Sequence, residues 1–104
     1  MDEVWTYACP ASSLVEGDVV GVRIGEHDIA LYESEGEVFA SSNLCTHGNA
    51  RLSDGFFDGK QVECPLHQGC FDVRTGKATC APVTTDLKVF RVRQEDGKVY
   101  VDIE

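Results

Sequence analysis

Length, composition and charge exclude several classes of protein. With 104 residues, of which 42% are hydrophobic, residues 1–104 have the size of one globular domain, leaving no room for a second catalytic domain. No apolar run approaches the roughly 18 residues that span a bilayer, and the N-terminus lacks a signal or transit peptide pattern, so we expect a cytoplasmic protein without membrane contact. A net charge of -9 disfavours nucleic acid and favours basic protein partners.

Strand patterns dominate the first part of the chain. A possible single helical turn at residues 11–16 is followed by β-branched and aromatic runs over residues 19–24 and 29–32, and the turn residues 25–28 separate these runs. A third short strand is predicted over residues 38–40.

The pattern continues towards the C-terminus. Short strands are predicted around residues 56–57 and 61–63, and two alternating runs, residues 88–93 and 99–103, flank a turn centred on Asp-Gly. Short, closely spaced strands of this kind predict an all-β fold, either an antiparallel sandwich or a small barrel.

Two short clusters of cysteine and histidine interrupt the strands. Cys45 and His47 form the first cluster, and Cys64 and His67 form the second, with sixteen residues between the clusters. The chain contains five cysteines, an odd number, and lacks a secretory signal, so metal ligation is a better interpretation than a disulfide framework.

Two metal sites fit two thiolates and two imidazoles. A structural zinc site can take this donor set, although zinc motifs usually group like ligands, which the C-x-H unit does not. In a Rieske 2Fe-2S site the ligands are divided between two irons, and two histidines replace two of the usual four cysteines on one iron.

The two motifs, C-x-H and C-x-x-H, together with Gly48 and Pro65, resemble the signature of the Rieske family. The resemblance implies a Rieske fold, a small antiparallel β-sandwich with an inserted cluster-binding subdomain of two loops at about residues 44–72. It also implies one 2Fe-2S cluster, with Cys45 and Cys64 on the inner iron and His47 and His67 on the outer iron.

Departures from the respiratory Rieske proteins indicate the subfamily. Those proteins have a disulfide between the cluster loops and two hydroxyl donors near the cluster, whereas the matching positions here are Ala50, Leu66, Gly69 and Phe71. Loss of hydrogen bonds to the cluster lowers its potential, so we expect a midpoint near the lower Rieske bound of roughly -150 mV. This value suits a carrier of electrons from NAD(P)H better than quinol oxidation.

An oxygenase function is excluded by the histidine count. Rieske oxygenases also need a mononuclear iron held by two histidines and a carboxylate. Only His27 remains outside the two clusters, and we expect it to be a solvated turn residue.

The motif His67-Gln68-Gly69-Cys70-Phe71-Asp72 is similar to that of ferredoxins from naphthalene-type aromatic dioxygenase systems. The resemblance implies an electron carrier, not an enzyme, that moves single electrons from a flavoprotein reductase to a terminal Rieske oxygenase. We expect a monomer whose docking rim contains Gly48, Gln68 and Pro82.

Two other functions are considered for the chain. One is the Rieske-like small subunit of assimilatory nitrite reductase, which often lacks cluster ligands, and the other is a colourless zinc module that binds protein. The remaining cysteines are expected to be non-ligands, with Cys9 and Cys80 as small buried apolar residues and Cys70 close to the ligands in sequence.

Overall fold

The computed structural model describes residues 5–46, 50–66, 68–81 and 85–103, and β-strands dominate this part of the chain. The strands are β1 Trp5–Pro10, β2 Val19–Ile24, β3 His27–Ser34, β4 Glu37–Ser42, β5 Phe56–Phe57, β6 Gln61–Glu63, β7 Cys70–Asp72, β8 Ala78–Cys80, β9 Val89–Glu95 and β10 Lys98–Asp102. Two 3₁₀ turns, Ala11–Ser13 and Leu52–Asp54, are the helical elements of the described ranges. The all-β prediction is therefore confirmed. None of the described helical turns is long and apolar enough to span a membrane.

The strands form two sheets in which neighbouring strands are antiparallel. The larger sheet has the order β1-β10-β9-β4-β3-β2, and the smaller has the order β5-β6-β7-β8. All four strands of the small sheet come from the segment between β4 and β9, so this sheet is an insertion into the larger one. The inserted subdomain extends to the end of β8 and is therefore longer than the predicted pair of loops.

Strand β3 is buried on both faces because it lies between two hydrophobic cores. Ile29 and Leu31 belong to the core on one face, whereas Ala30 and Tyr32 belong to the core shared with the small sheet. All four residues are fully buried. Alternate residues of a strand face opposite sides, so a strand between two cores needs a continuous apolar run, as found here.

Two predicted hairpins are present in the large sheet. In the β9–β10 turn both Asp96 and Gly97 have positive φ, at 51° and 73°, as a type I′ turn requires. The β2–β3 turn is shorter than predicted, because Ile24 already pairs with His27. His27 is therefore the first residue of β3, not a turn residue, although it is exposed as expected.

Three strands were not predicted from local pattern. Strand β1 is stabilised by pairing with β10, at the other end of the chain, and that pairing leaves no local signal. Strands β7 and β8 have three residues each, too few for an alternating pattern to be recognised.

Candidate metal centre

Cys45 begins a loop that a backbone hydrogen bond closes. Strand β4 leads into this loop, and the Cys45 N–H donates to the Ala50 carbonyl oxygen at 2.9 Å. Leu44 and Arg51, the residues just outside this bond, form an antiparallel bridge. The chain therefore leaves this strand and returns at one place.

Cys64 begins a second closed loop, which follows β6. Its N–H donates to the Gly69 carbonyl oxygen at 2.7 Å, and the Gln68 N–H donates to the Cys64 carbonyl oxygen at 3.1 Å. Gln68 has a left-handed backbone with a φ of 61°, which allows the chain to reverse into β7. Both loops thus have the same design, with a cysteine at the first position and a backbone bond at the base.

The two cysteines belong to one buried core. Cys45 is 7% exposed and Cys64 is 1% exposed, and both are in the core that also contains Phe57 and Phe71. Two buried sulfurs at the bases of neighbouring loops are the donors expected for the inner iron of a Rieske site. The described part of the donor set therefore fits this cluster.

Several predicted site residues lie outside the described residues. These are the two predicted histidine ligands and two of the three docking positions: His47, His67, Gly48 and Pro82. Gln68 is described and is exposed, as a docking residue requires.

Asn43 holds the base of the first loop. Its side chain is fully buried, donates to Asp28 Oδ1 at 3.0 Å and to Ser53 Oγ at 2.9 Å, and accepts from the Ser53 N–H at 2.8 Å. Its backbone accepts from the Leu52 N–H at 2.7 Å. Asn43 thereby connects the start of β3 to the 3₁₀ turn that follows the loop.

Arg51 strengthens the same attachment. It donates from Nε and from a terminal nitrogen to the two carboxylate oxygens of Asp28, at 2.9 and 3.0 Å. The guanidinium is the main cause of a lowered pKa for the Asp28 carboxyl group, with Asn43 as a further hydrogen-bond donor, while burial acts in the opposite direction. Sequence reasoning missed this network, because contacts between residues 15 or more positions apart have no characteristic spacing.

A contact also joins the first loop to the segment after residue 84. The Thr46 hydroxyl donates to the Thr85 carbonyl oxygen at 2.7 Å. Thr46 is next to Cys45, so the chain at Thr85 is attached beside the first loop.

A shallow groove lies between the two loops. It has a volume of about 370 Å³ and is lined by Ala50, Arg51, Asp54, Pro65 and Leu66. Leu66 is 52% exposed, so an apolar side chain is accessible beside the second ligand pair. The sequence indicated only that Leu66 does not belong to a disulfide.

The cysteines that are not proposed ligands differ in burial. Cys9 is buried in the core of the large sheet, as predicted. The prediction for Cys80 is wrong, because this residue is only partly buried and lies opposite Cys70 in the small sheet. Strand β8 is an edge strand of the small sheet, so it has a neighbouring strand on one side only.

Comparison with known proteins identifies the family. The family model of the Rieske [2Fe-2S] domain matches residues 4–91. The ferredoxin component of the naphthalene 1,2-dioxygenase system of Pseudomonas putida is 54% identical over 99 residues, which cover 95% of each chain.

Solved structures have the same fold. A complex of reduced oxygenase and oxidized ferredoxin in carbazole 1,9a-dioxygenase contains a chain that matches with a TM-score of 0.90 and 39% identity, covering 99% of this chain and 96% of that one. A putative NADH-dependent nitrite reductase small subunit from Mycobacterium tuberculosis is more distant, with a TM-score of 0.80 and 26% identity over 97% and 96% of the two chains. With two buried cysteines at the bases of paired loops, and with similarity along its whole length, this chain belongs to the Rieske family and has a Rieske 2Fe-2S cluster as its cofactor.

Proposed function

We propose that this chain is the ferredoxin component of an aromatic-ring-hydroxylating dioxygenase system. In that role it carries single electrons from an NAD(P)H-dependent flavoprotein reductase to the terminal oxygenase. The observation that carries the proposal is the near-complete match in length and sequence to a component of this kind. The nitrite reductase alternative is weaker, because the similarity to that class is lower.

Cys45 and Cys64 are the proposed ligands of the inner iron, and His47 and His67 are the proposed ligands of the outer iron. Burial of both cysteines in one core supports the first pair, since the inner iron lies away from solvent. When bound, the cluster supplies a one-electron redox couple. The chain itself keeps water from the sulfur ligands and holds the two loops at a fixed separation.

The proposed docking rim contains Gly48, Gln68 and Pro82. Exposure of Gln68 supports it, and so does the exposed Leu66 in the groove between the loops. Small and apolar groups at this end allow a partner to approach closely, which shortens the distance that an electron must cross.

We propose a cytoplasmic monomer with one domain, residues 1–104, and without catalytic activity of its own. A single domain is supported by β3, which contributes to both cores at once. A monomer suits a carrier that presents the same cluster end to two partners in turn.

An anaerobic redox titration of purified protein, assayed for iron and zinc and followed by electron paramagnetic resonance, tests the proposal. We expect a rhombic signal in the reduced protein, with a low average g value and a midpoint near the lower Rieske bound of roughly -150 mV. Stoichiometric zinc without a paramagnetic signal would mean that the two loops form a structural clasp.

Reconstitution tests the partners and the ligands. The protein should be required for electron flow from a flavoprotein reductase to an aromatic-ring dioxygenase. A Cys64→Ser variant should fail to assemble the cluster, whereas a Cys9→Ser variant should retain full iron content. Electron flow at the same rate without the protein would contradict the carrier role.

A further inference from the structure

Cys70 and Cys80 face each other on adjacent strands of the small sheet, and neither is a proposed ligand. They are opposed in the antiparallel pairing of β7 with β8, beside a shift of register between Cys70 and Phe71. Opposed residues of such a pair have their side chains on the same face and Cα atoms about 4.5–5.5 Å apart. A disulfide spans Cα separations of about 4.4–6.8 Å, so this pair has the spacing that a disulfide needs.

The surroundings of the two thiols indicate a different role for each of them in a reaction with a small reagent. Both residues are only partly buried, so a small reagent can reach them. Burial, followed by hydrogen bonding to the Cys80 thiol, raises the pKa of Cys70 to about 12. Cys70 is therefore a weak nucleophile in the reduced pair, which suits the second, resolving position in the exchange.

The other non-ligand cysteine has a different environment. Cys9 is buried in the large sheet, and its partner across the strand pair is Val99. It therefore has no opposed thiol in this pairing, and it provides a matched control.

We propose that Cys70 and Cys80 form a reversible disulfide by exchange with a small-molecule disulfide such as glutathione disulfide. The Cys80 thiolate attacks one sulfur of the reagent, whose S–S bond breaks and releases one glutathione. Cys70 then gives up its proton and attacks the Cys80 sulfur, which releases the second glutathione. The two protein thiols lose two electrons and two protons, and the reagent gains them.

The bond would connect two segments that lead to the cluster end. Strand β7 follows the second cluster loop, and β8 precedes the segment that contains Pro82. A disulfide between them would restrain one relative to the other, so the thiol redox state of the cell would change the rigidity of this end. Disulfides in the cytoplasm are usually transient and sensory, which suits a reversible bond.

Peptide mapping of the cluster-loaded protein tests this inference. The protein is equilibrated anaerobically in buffers of increasing glutathione disulfide content, alkylated and digested with trypsin. Cleavage after lysine and arginine places Cys70 in residues 61–74 and Cys80 in residues 78–88. We expect these two peptides to become joined, and fragmentation should assign the bond to Cys70, not to Cys64.

Three variants provide the controls. Cys70→Ser should reduce the joined peptide by at least about tenfold and leave glutathione attached to Cys80, because the second sulfur is missing. Cys80→Ser should also abolish the bond, whereas Cys9→Ser should leave it unchanged. All three variants should keep the visible spectrum of the cluster.

Several outcomes would overturn the inference. These are a joined peptide that never forms, a bond assigned to Cys64, or loss of the cluster in Cys70→Ser, which would make Cys70 a ligand. If a variant does not fold, the fragmentation of the wild-type peptide still shows whether Cys70 is bonded to Cys80. The mass measurement does not depend on electron transfer, so its failure is distinct from failure of the proposed function.

Discussion

At Asn43 one buried side chain connects three separate parts of the chain. It bonds to Asp28 at the start of β3 and to Ser53 in the turn after the first cluster loop. A buried amide left without such partners would destabilise the fold by about 1–3 kcal/mol. The position of the first loop therefore depends on hydrogen bonds as well as on the core beneath it.

The ion pair beside Asn43 makes stability depend on pH. Because the pKa of Asp28 is lowered in the folded chain, the unfolded chain binds the proton more readily. The contribution is complete above the ordinary aspartate pKa of about 3.9 and is lost as the pH falls from there through the lowered folded value. Arg51→Gln removes the main cause of the shift and should reduce the contribution.

Urea unfolding of wild type and Arg51→Gln at a series of pH values measures this effect. The difference in free energy of unfolding should be largest near pH 7 and should decrease as the pH falls below the ordinary aspartate pKa of about 3.9. Arg93→Gln is the matched control, since Arg93 pairs with Glu95 at 2.8 Å in an exposed hairpin. An equal dependence on pH in both variants would contradict our account of Asp28.

Phe71 provides a test of the low potential. Its side chain is fully buried in the core shared with Cys45 and Cys64. Phe71→Tyr should raise the midpoint potential if the new hydroxyl bonds to a cluster sulfur, by roughly 40 mV for a hydrogen bond of about 1 kcal/mol.

Potentiometric titration of Phe71→Tyr measures the shift, and Phe56→Tyr is the control. Phe56 is 66% exposed in the same small sheet, so a hydroxyl there should leave the potential unchanged. An unchanged potential in Phe71→Tyr, with the hydroxyl ordered near a sulfur, would contradict our explanation.

Whether the role of a residue can be predicted depends on how far apart along the sequence its partners lie. Cys45 and Cys64 could be recognised because each stands in a short motif, and their burial agrees with the role assigned to them. The bonds among Asp28, Asn43 and Arg51 could not be anticipated, because they depend on how β3 and the loop meet in space.

At the scale of elements, Gly55 lies in the cluster subdomain and Gly97 lies in a hairpin of the large sheet, so substitutions at the two positions affect different parts of the fold. Gly55 has ordinary φ, but an added Cβ would overlap the Glu63 carbonyl oxygen, directly before Cys64. Gly97 has open space around it and a φ of 73°, so a side chain there causes backbone strain alone. The two positions therefore distinguish a steric effect at the cluster from a general loss of stability.

We expect Gly55→Ala and Gly97→Ala each to reduce the free energy of unfolding by about 1–3 kcal/mol. Only Gly55→Ala should also lower the iron content, because it displaces the chain that presents Cys64. Urea unfolding and iron analysis measure the two effects. Full iron content in Gly55→Ala would show that β5 and β6 can separate without disturbing the second loop.

Local pattern predicted some elements better than others. The bounds of β2 agree with the prediction, because a β-branched run ends at a glycine turn. Strand β1 was missed, because its stability comes from β10 and not from its own sequence.

At the scale of the whole molecule, the net charge of -9 should control the approach of partners. Electron transfer to a basic partner surface should slow by roughly tenfold as salt rises from about 0.05 to about 0.5 M, because screening weakens the attraction. Stopped-flow measurement of the second-order rate tests this expectation. Reduction by dithionite, an anion, should show the opposite trend, and a rate independent of salt with the protein partner would contradict electrostatic steering.

The pairing of β1 with β10 has a consequence for synthesis on the ribosome. Trp5 pairs with Asp102, so the first strand must wait until the chain has emerged as far as Asp102 before its edge is covered. The strands of the small sheet and both cysteine loops are completed by Cys80, before β9 and β10 exist. The nascent chain can therefore assemble its metal-binding end first, while β1 keeps an open edge until β10 has emerged.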